Sequence, residues 1–94
     1  MTNTEQGYRA ELEAADRALA ADPRDLRALI AKGDALAGLG DDRAAASFYS
    51  SALRAAGDGK GLATTVIAEL RRVRSAVQAQ AQQFEAHLST SLAG

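Results

Sequence analysis

The sequence predicts an all-α fold of about four helices. Alanine supplies much of the 47% hydrophobic content, and Pro23 is the only proline. Alanine favours helix because it loses no side-chain entropy on folding. Apolar residues also recur at steps of about three and four, the period of one helix face. Breaks at Pro23, Gly40 and residues 57–61 divide the chain into four segments.

The first predicted helix occupies residues 1–22, with Asn3 or Thr4 available as its cap. It should end by Asp22, because the residue before a proline is pushed out of the helical region. Its apolar positions follow steps of 4, 3 and 4 residues. These positions are Tyr8, Leu12, Ala15 and Leu19.

Residues 25–56 predict a helix pair. Asp25 can cap the second helix, which runs to about Leu39, and Gly40 can supply the left-handed residue that ends it. Asp41 or Asp42 can cap the third helix. Its predicted apolar face consists of Ala45, Phe48, Tyr49, Ala52 and Leu53.

Residues 57–61 predict a glycine-rich linker, and residues 62–92 a long C-terminal helix without internal glycine or proline. The first half of this helix is expected to pack on the third helix. The second half extends beyond the shorter helices, and its apolar face needs cover in water. We therefore predict self-association, most simply a homodimer, or docking on a downstream domain. The residues expected to mediate it are Val77, Ala81, Phe84, Leu88 and Leu92.

The helix pair carries a specific pattern of large and small residues. A comparison of the chain with itself at a period of about 34 residues aligns Ala18 and Leu19 with Ala52 and Leu53. The pattern itself consists of Leu29, Gly33, Leu36, Gly40, Asp41, Ala45, Tyr49, Ala52 and Leu53. This pattern resembles a tetratricopeptide (TPR) repeat. Two positions depart from it, since Lys32 stands where leucine is usual and Gly57 where proline closes the repeat.

The resemblance implies a non-catalytic protein–protein interaction module that binds a protein or peptide. In that family, residues of the first repeat helix face the partner. The corresponding residues here are Arg27, Ile30, Asp34 and Ala37. Ile30 is accordingly expected to be open to a ligand and to contribute little to stability. A single repeat, however, provides hardly any groove.

A second resemblance extends further along the chain. Residues 40–49 followed by the long helix, with its Gln83–Leu88 segment, look like the N-terminal region of bacterial aspartyl/asparaginyl β-hydroxylase-like proteins. Such proteins carry a 2-oxoglutarate- and iron-dependent oxygenase domain downstream. This interpretation makes the chain a helical leader whose catalytic domain is absent.

Composition disfavours several other functions. The net charge is −1, with 11 Lys+Arg against 12 Asp+Glu, and there is no cysteine. His87 is the only histidine, so the chain lacks the two histidines of a non-haem iron site. We expect no enzyme activity, no cofactor and no metal. Without an N-terminal apolar run or a span of about 20 apolar residues, we expect a cytoplasmic protein that binds no membrane.

Arg71, Arg72 and Arg74 form a small basic cluster that raises a nucleic-acid adaptor as an alternative. The neutral charge balance and the lack of interleaved aromatic residues disfavour it. Glu69 lies three residues before Arg72, a spacing that favours an ion pair on a solvated helix face. The sequence 57–61 lacks the spacing of a phosphate-binding loop, and we interpret it as a linker.

Overall fold

The computed structural model describes the backbone of residues 3–93 and the side chains of residues 4–83 and of Glu85. The chain forms four helices and, within the described residues, no strand. The helices are α1 (Asn3–Ala21), α2 (Leu26–Gly38), α3 (Asp42–Ala56) and α4 (Thr64–Ala93). The predicted all-α fold of about four helices is confirmed.

Aspartates cap the two helices of the central pair. The Asp25 carboxylate accepts a hydrogen bond from the backbone N–H of Ala28 at 3.2 Å. Asp41, rather than Asp42, caps α3 and accepts from the backbone N–H of Ala44 at 3.1 Å. Each carboxylate satisfies a backbone donor that has no partner inside its helix, so both helices begin where the sequence predicts.

The chain reverses between α2 and α3 through Gly40, whose φ of 91° is accessible chiefly to glycine. The linker before α4 likewise contains positive φ angles, beginning with Gly57 at 59°. α4 starts at Thr64, two residues after the predicted start at Leu62.

Each helix packs on the next along the chain: α1 on α2, α2 on α3 and α3 on α4. The first half of α4 covers α3, as the sequence predicts. Leu70 and Val73 of α4 are buried, Val73 with no exposed surface. The buried apolar cluster comprises Leu29, Ile30, Ala45, Tyr49, Ala52, Leu70 and Val73.

Small residues bring α2 and α3 together. Ala45 is 2% exposed and Ala52 is fully buried. A Cβ atom placed on Gly33 would lie less than 3.0 Å from two ring carbons of Tyr49. Glycine at this position therefore makes room for the aromatic ring of the neighbouring helix, as the spacing of small residues predicts.

Lys32, one of the two departures from the repeat pattern, ties α2 to both of its neighbours. Its ammonium group lies 2.5 Å from an Asp16 carboxylate oxygen on α1 and 4.4 Å from the Phe48 ring centroid on α3. A lysine can pack its aliphatic stem on apolar surface while its ammonium group contacts a carboxylate and the face of an aromatic ring. Lys32 thus contacts side chains of the two helices that flank α2.

Candidate functional site

A cleft between α2 and the beginning of α4 is the candidate binding site. It encloses about 300 Å³, at the lower end of the range usual for ligand sites. We call it the α2–α4 cleft. Its lining residues are Arg27, Ile30, Ala31, Asp34, Thr65, Val66 and Glu69.

The structure brings together Arg27, Ile30 and Asp34, three of the four residues that the sequence assigns to a partner-binding face. Ala37 lies elsewhere, in a pocket with Tyr49 and Ala76. α4 provides the second wall, which the sequence interpretation lacked because it considered a single repeat alone.

Ile30 differs from its expected environment. Its side chain is 7% exposed and belongs to the buried apolar cluster, whereas the sequence predicted a residue open to a ligand. The physical reason is the position of α4, whose Leu70 and Val73 belong to the same cluster. Ile30 forms the floor of the cleft and part of the core at once.

A polar network lies at one side of the cleft and joins three helices. The Tyr49 hydroxyl of α3 donates to Asp34 of α2 at 2.5 Å. Two nitrogens of Arg72, on α4, donate to the two Asp34 carboxylate oxygens at 3.1 and 3.0 Å. Arg72 also donates to Glu69 at 3.2 and 2.6 Å, which confirms the predicted ion pair. We call these four residues the Asp34 network.

The Asp34 network shifts the acidity of two of its members. Burial of the ring, followed by the hydrogen bond to Asp34, raises the pKa of Tyr49 to about 12. Hydrogen bonds to Glu69 and Asp34 raise the pKa of Arg72 above its ordinary value. Tyr49 is therefore a neutral donor and Arg72 a permanent cation at physiological pH. Both groups hold Asp34 in one orientation beside the cleft.

The sequence interpretation missed Thr65, Val66 and Glu69 as cleft residues and missed the contact between Asp34 and Arg72. The apolar stripe of α4 indicated that Val66 faces other helices, but not which surface it meets. Asp34 and Arg72 are 38 residues apart, so no local spacing could pair them.

The three arginines of the predicted basic cluster face different neighbours. Arg72 turns toward α2, where Asp34 holds it. Arg71 and Arg74 line a separate pocket beside the α3–α4 turn. The structure therefore divides the surface proposed for a nucleic-acid adaptor.

Part of the predicted self-association surface can be located. Val77 is half-buried against the core cluster, and Ala81 is exposed. The side chains of Phe84, Leu88 and Leu92 lie outside the described residues, as does that of His87.

Two general properties of the described part of the chain bear on the site. No group of three or more His, Cys, Asp or Glu side chains is placed to hold a metal ion there. None of its helices combines the length and apolar character needed to cross a bilayer.

No family model, curated protein or solved structure matches this chain. The resemblances to TPR repeats and to the N-terminal region of β-hydroxylase-like proteins accordingly stay predictions.

Proposed function

We propose that the protein is a non-catalytic, TPR-like interaction module that binds a segment of a partner protein in the α2–α4 cleft. One observation carries the proposal: Arg27, Ile30 and Asp34 line one concave surface with the first turns of α4. An apolar floor between polar walls is the usual form of a peptide or ligand site.

The charges of the cleft indicate what the bound segment contains. Asp34 and Glu69 are both engaged by Arg72, so their carboxylates are fixed and partly neutralised. Arg27 is exposed and forms no ion pair or hydrogen bond with another described side chain. We infer a segment with an apolar side chain over Ile30 and Val66 and an acidic residue beside Arg27.

The proposal can be tested by selecting peptides from a displayed random library on the folded protein. Arg27→Glu reverses the free charge, and Thr65→Glu places a second negative charge in the mouth of the cleft. Both positions are exposed, so the fold should be retained. Selected peptides should be apolar and acidic, and each variant should weaken their binding about tenfold or more, since charge-assisted pairs to a free charge are lost or blocked.

Arg17→Glu is the matched control because Arg17 is also exposed, but lies on α1 and outside the cleft. It should leave peptide binding unchanged. Selected peptides that bind all three variants equally well would place the interaction elsewhere on the molecule, and circular dichroism would verify that each variant is folded.

Self-association through α4 is the second part of the proposal. It rests on the apolar stripe that continues past Val77 to Leu92 and on the position of Ala81, which is exposed. A two-fold pairing of this face would cover the same surface in both copies. A downstream domain could cover it in a longer protein.

A further inference from the structure

A small pocket beside the α3–α4 turn has a chemistry of its own. It encloses about 160 Å³ and shares no lining residue with the α2–α4 cleft. We call it the turn pocket. Its side chains of interest are Leu53, Asp58, Ile67, Leu70, Arg71 and Arg74.

The turn pocket has an apolar base, formed by residues of α3 and α4, and a cationic rim, formed by α4. Leu70 is 8% exposed, and Leu53 and Ile67 are half-buried, so the base of the pocket is an apolar surface. Arg71 and Arg74 lie three residues apart on one face of α4, and both are exposed. Neither forms an ion pair or a side-chain hydrogen bond with another described residue.

Asp58 is the one acidic residue that lines the turn pocket. It accepts a hydrogen bond from the backbone N–H of Lys60 at 3.0 Å, which stabilises the turn. Two arginines against one carboxylate leave a positive balance at the rim. This charge balance favours an anion over a cation at the turn pocket.

We propose that the turn pocket binds a carboxylate carried on a short apolar group. The apolar group would cover Leu53, Ile67 and Leu70, and the carboxylate would accept hydrogen bonds from Arg71 and Arg74. Planar guanidinium groups match a carboxylate in geometry and stay charged at any working pH. The volume is below the 300 Å³ or so at which ordinary ligand pockets begin, so one short side chain fills it.

The shared chemistry has two sources, a free short-chain acid and the carboxyl end of a polypeptide. We would titrate the isotope-labelled protein with 4-methylpentanoate, and separately with an acetylated tripeptide ending in leucine, and record amide NMR shifts. The matching carboxamides serve as uncharged probes. We expect saturable shifts of the amide signals of Gly57, Gly59 and Ile67 with one or both acids. The corresponding carboxamides should bind about tenfold more weakly.

Paired variants make the test specific for the two arginines. Arg71→Gln with Arg74→Gln should abolish the acid-dependent shifts. Arg17→Gln with Arg24→Gln removes the same charge from exposed positions outside the turn pocket and should leave them intact. Asp58→Asn should strengthen binding severalfold, since the amide oxygen can still accept from Lys60 while the repelling charge is gone.

Three results would overturn the inference. They are equal binding of acids and amides, shifts that persist without Arg71 and Arg74, and a response to inorganic phosphate that exceeds the response to either acid. Because the turn pocket and the α2–α4 cleft share no residue, Arg27→Glu should not affect these shifts. Failure here would leave the proposed function untouched.

Discussion

Tyr49 connects α3 to α2 directly and to α4 through Asp34. Its ring fills the space left by Gly33, and its hydroxyl donates to the carboxylate that also binds Arg72. The ring and the hydroxyl thus have separate tasks, one steric and one electrostatic. Each task can be removed by a single substitution.

Gly33→Ala should destabilise the protein by about 1–3 kcal/mol, the usual cost of overpacking. The new methyl group would overlap the Tyr49 ring, which cannot move freely because its hydroxyl is bonded to Asp34. The control is Gly7→Ala in α1, where nothing lies within 4 Å of the new Cβ. The Gly7→Ala variant should be more stable than the wild type by about 0.5–1 kcal/mol, because alanine has a higher helix propensity than glycine. Urea denaturation measures the free energy of unfolding of both variants. An equal increase in stability for Gly33→Ala and Gly7→Ala would show that Gly33 has no close neighbour.

Tyr49→Phe should cost about 1–3 kcal/mol at neutral pH, the range for a hydrogen bond to a charged acceptor. It should also change the response to alkali. An unfolded tyrosine titrates near pH 10, and the pKa of Tyr49 in the fold is about 12. The unfolded state therefore loses its proton first, so this contribution to stability is complete below about pH 10 and is lost as pH rises to 12.

Denaturation curves between pH 7 and 11.5 measure this effect as the difference between the wild type and Tyr49→Phe. Tyr8→Phe is the matched control, since Tyr8 packs against Gly38 and its hydroxyl forms no hydrogen bond with another described residue. The stability difference between wild type and Tyr49→Phe should shrink above pH 10. A constant difference across the range would show that the Tyr49 hydroxyl is not bonded in the fold.

At the scale of elements, α4 contributes both to the core and to the α2–α4 cleft. Its first half completes the core with Leu70 and Val73, and its first turns form one wall of the α2–α4 cleft. Arg72 connects α4 to α2 through its ion pair with Asp34. An exposed ion pair contributes at most about 1 kcal/mol, so burial of the apolar face is the main reason why α4 is docked.

Ile30→Ala tests whether α4 closes over α2. Because Ile30 is buried in the same apolar cluster as Leu70 and Val73, we expect a loss of about 2–5 kcal/mol in chemical denaturation. Ile67→Ala is the same substitution at a half-buried position on α4 and should cost less. A neutral effect of Ile30→Ala would restore the original expectation, an open face on α2 that α4 does not cover.

At the scale of the whole molecule, the helices form an open succession in which each contacts the next. The principal extents are 47, 40 and 21 Å. The 30 residues of α4 span about 45 Å at about 1.5 Å each, whereas the 15 residues of α3 span about half of that. α4 is therefore too long to be covered by its neighbour.

We expect the protein to dimerise at micromolar concentration, as measured by light scattering or sedimentation. Phe84→Glu with Leu88→Glu places two charges on the apolar stripe and should yield a monomer. Gln78→Glu with Gln82→Glu adds the same charge at exposed polar positions of α4 and should leave the dimer intact. A dimer that persists with the first pair would lie elsewhere, and a monomeric wild type with a fully helical C-terminus would exclude self-association of this chain.

The sequence by itself determined the elements of this protein. Helix starts at Asp25 and Asp41, the reversal at Gly40 and the small residue at Gly33 all depend on local stereochemistry, which a few neighbouring residues define. The docking of the first half of α4 on α3 also followed, because a stripe of apolar residues on a helix requires a partner.

The tertiary structure alone decided how α4 meets α2. It buried Ile30, paired Asp34 with Arg72, separated Arg72 from Arg71 and Arg74, and formed both pockets. The crossing of two helices depends on how all their side chains interlock, so it is a property of distant segments together. Local periodicity identifies the apolar face of a helix, but not the surface against which that face will lie.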